Sequence, residues 1–254
     1  MSVLGRGITG TCHVLREDPD LADAIAPDRR KDAIDSCTAK EVRFPTGQGV
    51  SDSSPLQNGL GILVLSGLLI RRVGIDGRFG AELLGDGDLL RPWQWEADSP
   101  MLPIEMAWSI LEPTRLALLD EEFVSRNISR FPELSSALVG RAMQRSRNLA
   151  VNMAIVHQAR VDVRLHMMLW HLAGRWGRVR SEGTVLRMRL THAVLADLVA
   201  ARRPTVTTAL SDLVRAGMVR SSGEEWLLFG EPPVELNEAS NGTAFQPHRI
   251  ASGS

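Results

Sequence analysis

The spacing of apolar residues divides the chain into regions of different predicted structure. Between residues 42 and 119 the apolar runs are short and are separated by Gly, Asp and Pro, a pattern typical of an all-β sandwich or barrel. An Asp-Gly pair within 74–77 predicts a hairpin turn joining strands at 68–73 and 78–84. The first forty residues contain only short helical patterns, which we interpret as helices flanking this unit.

A long helix is predicted from 133 to 160. Apolar residues recur there at steps of three and four, interrupted by the polar segment 145–147, and such a pattern fits a dimer seam in which polar members fix the register. The alternative is a helix that packs only on its own domain. The apolar positions are Leu134, Leu138, Ala142, Leu149, Met153 and Val156.

The pattern from 161 to 230 predicts a helix, a hairpin, two further helices and a second hairpin, in that order. Thr191 predicts a cap for a helix at 192–200, and Pro204 predicts the start of another that Gly217 ends. Two helices separated by so short a break have the dimensions of a helix-turn-helix. The second hairpin, at 218–229, is the expected wing, with Trp226 in its core.

In a helix-turn-helix the start of the second helix enters the major groove. Arginine suits the paired acceptors of guanine, and threonine suits phosphates or thymine methyl groups. We therefore expect DNA contacts from this helix start, with further contacts from the cap of the first helix and from the wing. The candidate residues are Arg202, Arg203, Thr205, Thr207, Thr208, Thr191 and Arg220.

Charge and composition narrow the class of protein. Residues 161–230 carry ten arginines against six acids, whereas the whole chain has a net charge of −1, so a basic module is joined to an acidic one.

The longest uncharged apolar run, 59–70, is shorter than the ~20 residues of a membrane span. With no secretory signal, we expect a cytoplasmic protein. Two cysteines, Cys12 and Cys37, are too few for a four-thiolate cluster, and no cofactor or metal is expected.

Several stretches resemble the Crp/Fnr family of bacterial regulators. They are LLGDGDLL (83–90), LEPTRLALLD (111–120), RLHMMLWHLAGRWG (164–177) and LTHAVLADLVAARRPTVTTAL (190–210). The resemblance, which covers about 42–232, implies an α+β chain with three parts: a double-stranded β-helix (jelly-roll-like) barrel with flanking helices over 1–132, a dimerisation helix over 133–160 and a winged helix-turn-helix over 161–232. It also implies a homodimer on a palindromic operator. The remaining residues, 233–254, are rich in Pro, Asn, Ser and Gly, and we expect a flexible tail there.

The resemblance carries over residue by residue in the helix-turn-helix. Arg203 matches the family's guanine-contacting arginine, and Thr205 matches a common phosphate contact. Pro204 and Thr208 depart from a Glu and an Arg of the best-known members, which implies a different operator sequence. Ala200 stands where the turn often has Gly, so a positive φ is expected at a non-glycine residue.

The effector region departs further from the family pattern. Members that bind cyclic nucleotides follow the Gly-Asp turn with a Gly-Glu pair and an Arg-Ser or Arg-Ala pair, whereas this chain reads LLRPWQWEADSP after Gly87-Asp88. The phosphate would lose its charged partners, so we expect no control by cyclic AMP. Alternatives are an apolar pocket lined by Trp93 and Trp95, or barrel core for both. A polar group on the long helix could meet an anion, fix the register of the dimer or simply be solvated; it comprises Arg145, Arg147, Asn148 and Asn152. A third possibility is a barrel that senses nothing and serves as a dimerisation scaffold.

The sequence therefore predicts a DNA-binding transcriptional regulator and not an enzyme. The sequence contains no P-loop, GxSxG or HExxH motif. The alternative is an effector-sensing or protein-interaction module whose winged helix does not bind DNA. Expected partners are duplex DNA and a second copy of the chain, with a small-molecule effector and RNA polymerase as further candidates.

Overall fold

The computed structural model describes residues 8–47, 49–50, 59–91, 105–233 and 236. The chain divides into two compact units, 1–148 and 149–254, and each is described by itself. Within the described ranges no helix is both long and apolar enough to cross a membrane.

The first unit is built on one antiparallel sheet. The described strands are β1 (Ile8–His13), β2 (Thr38–Phe44), β3 (Gly49–Val50), β4 (Gly61–Ile75), β5 (Arg78–Gly85), β6 (Leu89–Leu90) and β7 (Glu105–Leu119). Their order is β1-β2-β7-β4-β5, with β3 paired to β7 and β6 to β4. Strand β7 is longer than the short apolar runs of the sequence suggest, because it continues through Pro113 opposite irregularities in β4.

The predicted hairpin between β4 and β5 is confirmed. Ile75 pairs with Arg78, and the two residues between them, Asp76 and Gly77, have φ of 51° and 69°. Positive φ at both central positions matches the twist of the flanking strands, and Asp and Gly tolerate it best.

The described part of the first unit also contains four short helices: α1 (Val14–Glu17), α2 (Pro19–Asp23), α3 (Pro27–Ser36) and α4 (Glu121–Asn127). Of these, α1 and α3 contact β1, and α4 contacts β7. The helical patterns of the first forty residues are confirmed by α2 and α3. The sequence analysis missed β1, which pairs with β2 from Ile8 opposite Arg43 to His13 opposite Thr38. Three helices separate β1 from β2 in the sequence, so no pattern among neighbouring residues predicts this pairing.

The long helix α5 (Pro132–Val156) has two different faces. Leu134 and Leu138 are buried in the core of the first unit, so their interpretation as seam positions is wrong. The reason is that α4 and the N-terminal helices leave an apolar surface that this face covers. The opposite face exposes Val139 (52%), Met143 (61%) and Met153 (63%).

The second unit has the predicted order of elements. It contains α6 (Val161–Trp176), β8 (Arg178–Arg180), β9 (Gly183–Arg187), α7 (His192–Leu198), α8 (Arg203–Arg215), β10 (Val219–Ser222) and β11 (Glu225–Leu228). The strands form a four-stranded antiparallel sheet in the order β10-β11-β9-β8. The tail predicted over 233–254 lies outside the described residues, except for Pro233 and Leu236.

Candidate nucleic-acid interface

The first helix of the pair begins at His192, as predicted, and ends at Leu198, two residues before the predicted end. The Thr191 hydroxyl accepts a hydrogen bond from the Val194 amide at 3.2 Å, which confirms the predicted cap. After Leu198 the chain turns through Ala200, whose φ of 49° is the positive value expected there. After the turn α8 packs against α7 and α6, and its Val206 and Leu210 are buried.

The start of α8 is an exposed, positively charged helix end. Arg202 is the N-cap residue in an extended conformation, and Arg203 is the first residue of the helix. Both are exposed, as is Thr205. Among the described residues no acidic side chain forms an ion pair with either arginine. The positive end of the helix dipole and two unneutralised guanidinium groups therefore face solvent together, an arrangement suited to a polyanion.

Thr207 and Thr208 use their hydroxyl hydrogens inside the helix. Thr207 Oγ1 donates to the Arg203 carbonyl at 3.1 Å, and Thr208 Oγ1 donates to the Pro204 carbonyl at 3.3 Å. His192 Nδ1 lies 2.9 Å from Thr207 Oγ1, so in the tautomer that carries a proton on Nδ1 it can donate to this hydroxyl oxygen. The geometry favours apolar contact through the threonine methyl groups over donation to a phosphate.

The wing presents one arginine and a buried tryptophan. Arg220 lies on β10 and is exposed, with its guanidinium carbon 5.6 Å from the centre of the Phe229 ring. Trp226 is buried, as predicted. Glu225 is bound by Arg187 at 2.6 Å. Part of the negative charge near the wing tip is therefore compensated within the sheet.

Most of the predicted DNA-contacting residues lie together at the start of α8, and the others lie on neighbouring elements. Arg202, Arg203 and Thr205 share the first turn of α8, and the next turn carries the other two threonines. Thr191 precedes α7, whose first residue His192 contacts α8. The sequence analysis missed His192, since a histidine fifteen positions before a threonine gives no recognisable signal. Arg220 lies on a separate strand.

The predicted effector-binding residues that the structure describes form contacts within the protein. Arg145 forms a two-pronged ion pair with the buried Glu82, with Nη2 2.7 Å from Oε1 and Nε 3.2 Å from Oε2. Arg71 Nε lies 2.6 Å from the same Oε1. Asn148 is buried and accepts from Gln144 at 3.3 Å. Trp93 and Trp95 lie outside the described residues.

Both cysteines lie in the core of the first unit. Cys12 Sγ donates to the Ala39 carbonyl at 3.7 Å, and Cys37 is fully buried. Burial raises the pKa of each thiol to about 11. At neutral pH both therefore stay protonated, the form in which a thiol is a poor nucleophile.

Comparison with known proteins places this geometry in a family. A model described as the Crp-like helix-turn-helix domain matches residues 163–228. Over 190 residues the chain is 30% identical to a CRP-like cAMP-activated global transcriptional regulator of Mycobacterium tuberculosis, a match that covers 74% of this chain and 83% of that protein. The chain belongs to the CRP-like family. It is a DNA-binding transcriptional regulator with a Crp-like helix-turn-helix.

Solved structures show that the CRP-like fold extends over both units. A cyclic nucleotide-binding domain containing protein from Listeria monocytogenes matches with a TM-score of 0.61 at 14% identity, covering 83% of this chain and 96% of the other. A mutant of CooA from Carboxydothermus hydrogenoformans matches with a TM-score of 0.58 at 17% identity, covering 95% and 99%. At such identities the likeness concerns the fold alone.

Proposed function

We propose that this CRP-like regulator acts as a homodimer that reads a palindromic operator with the N-terminal half of α8. The observation that carries the proposal is the exposed pair Arg202 and Arg203 at the start of α8, without an acidic partner among the described residues. In this proposal Arg203 contacts guanine, Thr205 contacts a phosphate, and Thr207 and Thr208 contact bases through their methyl groups. Thr191 and Arg220 contact the DNA backbone beside the groove.

The exposed face of α5 supports a two-fold dimer. Val139, Met143, Ser146, Ala150 and Met153 are all exposed, and their spacing of four, three, four and three is that of a helix-helix seam. Pairing of two copies along this face would shield the three largest exposed apolar side chains of the helix. A two-fold axis would place two copies of α8 in successive major grooves, about 34 Å apart.

The proposal also covers the control of the regulator by a small molecule and its location in the cell. The M. tuberculosis relative is described as cAMP-activated, but the segment LLRPWQWEADSP lacks the charged pairs that grip a cyclic nucleotide, so we propose that cyclic AMP does not control this chain. Arg145 pairs with Glu82 of β5, which favours a role in holding α5 over direct contact with an effector, and Asn148 accepts from Gln144 within α5 itself. The regulator carries out no catalysis and works in the cytoplasm, with RNA polymerase as a further candidate partner.

Selection of bound sequences from a random duplex library tests the proposal. The purified protein is incubated with the library at low salt, with and without cyclic AMP, and its mass is measured by sedimentation. We expect an enriched palindrome from a dimer and no effect of cyclic AMP. An enriched site without two-fold symmetry, or a monomer at micromolar concentration, would contradict the dimer. Strict dependence on cyclic AMP would contradict the effector proposal.

A further inference from the structure

Arg164, on the first turns of α6, contacts three backbone carbonyls in two separate segments. Its Nη1 donates to the carbonyls of Val199 and Ala200 at 3.2 and 3.4 Å. Its Nε donates to the carbonyl of Gln158 at 2.5 Å, in the connection between α5 and α6. One guanidinium therefore joins the α5–α6 connection to the turn of the helix-turn-helix.

The turn that Arg164 contacts is the strained part of the motif. Ala200 holds a positive φ without being glycine, a conformation that is disfavoured for an L-residue with a Cβ. The carbonyls at the end of α7 also carry the negative end of its dipole, which a cation stabilises. A guanidinium on these carbonyls can thus hold the turn in a conformation that alanine disfavours.

The position of these carbonyls links the contact to DNA reading. Ala200 is followed directly by Ala201 and then by Arg202 and Arg203, so the peptide units held by Arg164 set the direction in which α8 begins. We propose that Arg164 is a positioning residue for operator recognition, acting through the backbone of Ala200 and without touching DNA itself. The proposal rests on the reading of the operator by α8.

Fluorescence anisotropy with two duplexes tests this role, one carrying the selected operator and one a scrambled sequence. Arg164→Met keeps the aliphatic stem and removes the three hydrogen bonds. We expect it to weaken operator binding by about tenfold or more, the size of a lost charge-assisted hydrogen bond. Binding to the scrambled duplex, which depends on charge rather than helix direction, should change much less. Arg164→Lys should fall between Arg164→Met and the wild type.

A second substitution tests whether the effect passes through the turn. Glycine adopts positive φ without strain, so Ala200→Gly should restore most of the operator affinity lost in Arg164→Met and should leave the wild type almost unchanged. The matched control is Arg160→Met, which removes one exposed positive charge at the start of the same helix, where Arg160 pairs with Asp162. This control should lower binding to both duplexes equally.

The outcomes separate this inference from the proposed function. If Arg164→Met behaves like Arg160→Met, or if Ala200→Gly restores nothing, the positioning role is wrong while operator recognition stands. If the wild type itself does not distinguish the two duplexes, the proposed function is wrong. Should Arg164→Met fail to fold, as judged by circular dichroism, Arg164→Lys with and without Ala200→Gly provides the same comparison.

Discussion

Arg203 and Arg215 stand at opposite ends of α8 in different surroundings. Arg203 has no acidic partner among the described residues, whereas Arg215 pairs with Asp212 at 2.8 Å. The first guanidinium is therefore available to a base edge, while the second is already bound within its own helix. The two residues form a natural comparison, since each carries one positive charge on the same element.

Replacing Arg203 by alanine should relax specificity. We expect Arg203→Ala to cost about 1–3 kcal/mol of operator binding and to remove discrimination at one base pair in each half-site. Anisotropy titrations against a set of single-substitution operators measure both quantities. Arg215→Ala, with the same loss of charge, should leave the pattern of preferences intact. An equal loss of affinity on every sequence would instead make Arg203 a phosphate contact.

His171 gives the second unit a pH-dependent stability. Burial, followed by the nearby charge of Arg175, lowers its pKa to about 4, and its Nε2 is buried without a hydrogen-bond partner among the described residues. Below about pH 6.5 this histidine binds a proton in the unfolded chain, whereas in the folded chain it stays neutral until about pH 4. The contribution of this histidine to folding is therefore complete above pH 6.5 and is lost progressively down to about pH 4.

Substitution of His171 tests this dependence. Urea unfolding followed by tryptophan fluorescence should show the unfolding free energy of the wild type decreasing between about pH 6.5 and pH 4. His171→Leu, which stays neutral in both states, should flatten that decrease. His157→Leu serves as the control, because His157 is exposed. A slope that is unchanged in His171→Leu would assign the acid sensitivity to other groups.

At the scale of elements, α5 has one face buried in the first unit and an exposed face that we assign to the proposed dimer. Leu138 is buried and Met143 is exposed, five residues further along the same helix. We expect Leu138→Ala to lower the unfolding free energy of the first unit by about 2–5 kcal/mol, because it leaves a cavity. Met143→Ala should change stability little but weaken dimerisation, measured by sedimentation over a dilution series. Normal dimerisation of Met143→Ala would contradict the proposed seam.

The buried carboxylate of Glu82 holds β5, β4 and α5 together. It lies between the guanidinium groups of Arg71 and Arg145, and all three side chains are largely shielded from solvent. Glu82→Gln would leave two buried cations without the charge that compensates them, and we expect a loss of roughly 3 kcal/mol in unfolding free energy. The exposed pair of Arg16 and Asp35 is the comparison, because Asp35→Asn should cost less than about 1 kcal/mol. Thermal unfolding measures both.

For the whole molecule, the charge distribution predicts the salt dependence of binding. Residues 161–230 carry an excess of four positive charges, while the rest of the chain is acidic, so attraction to DNA is concentrated in the second unit. The logarithm of affinity should fall linearly with the logarithm of salt concentration. In a dimer, Arg202→Ala should reduce that slope by roughly two if each Arg202 meets a phosphate. An unchanged slope would remove Arg202 from the phosphate contacts.

The sequence alone determined the elements that depend on neighbouring residues. The positive φ of Ala200 follows from the family resemblance and not from alanine itself, which disfavours that conformation. The cap at Thr191, the helix start at Pro204 and the hairpin turn at Asp76 are predictions from the residues themselves, and the structure confirms them. Each is a preference of one residue for a local backbone conformation or for a hydrogen bond a few positions away. The order of helices and hairpins in the second unit follows from the same local signals.

Only the tertiary structure decided which surfaces meet. Four features join segments that lie far apart in the sequence and share no short repeat of apolar positions. They are the pairing of β1 with β2, the burial of Leu138, the two arginines on Glu82 and the hydrogen bonds of Arg164 to the turn. Periodicity shows that a helix has an apolar stripe, but two stripes, one buried and one exposed, can share the same steps of three and four. What covers each face depends on the packing of distant segments, and that is absent from any local pattern.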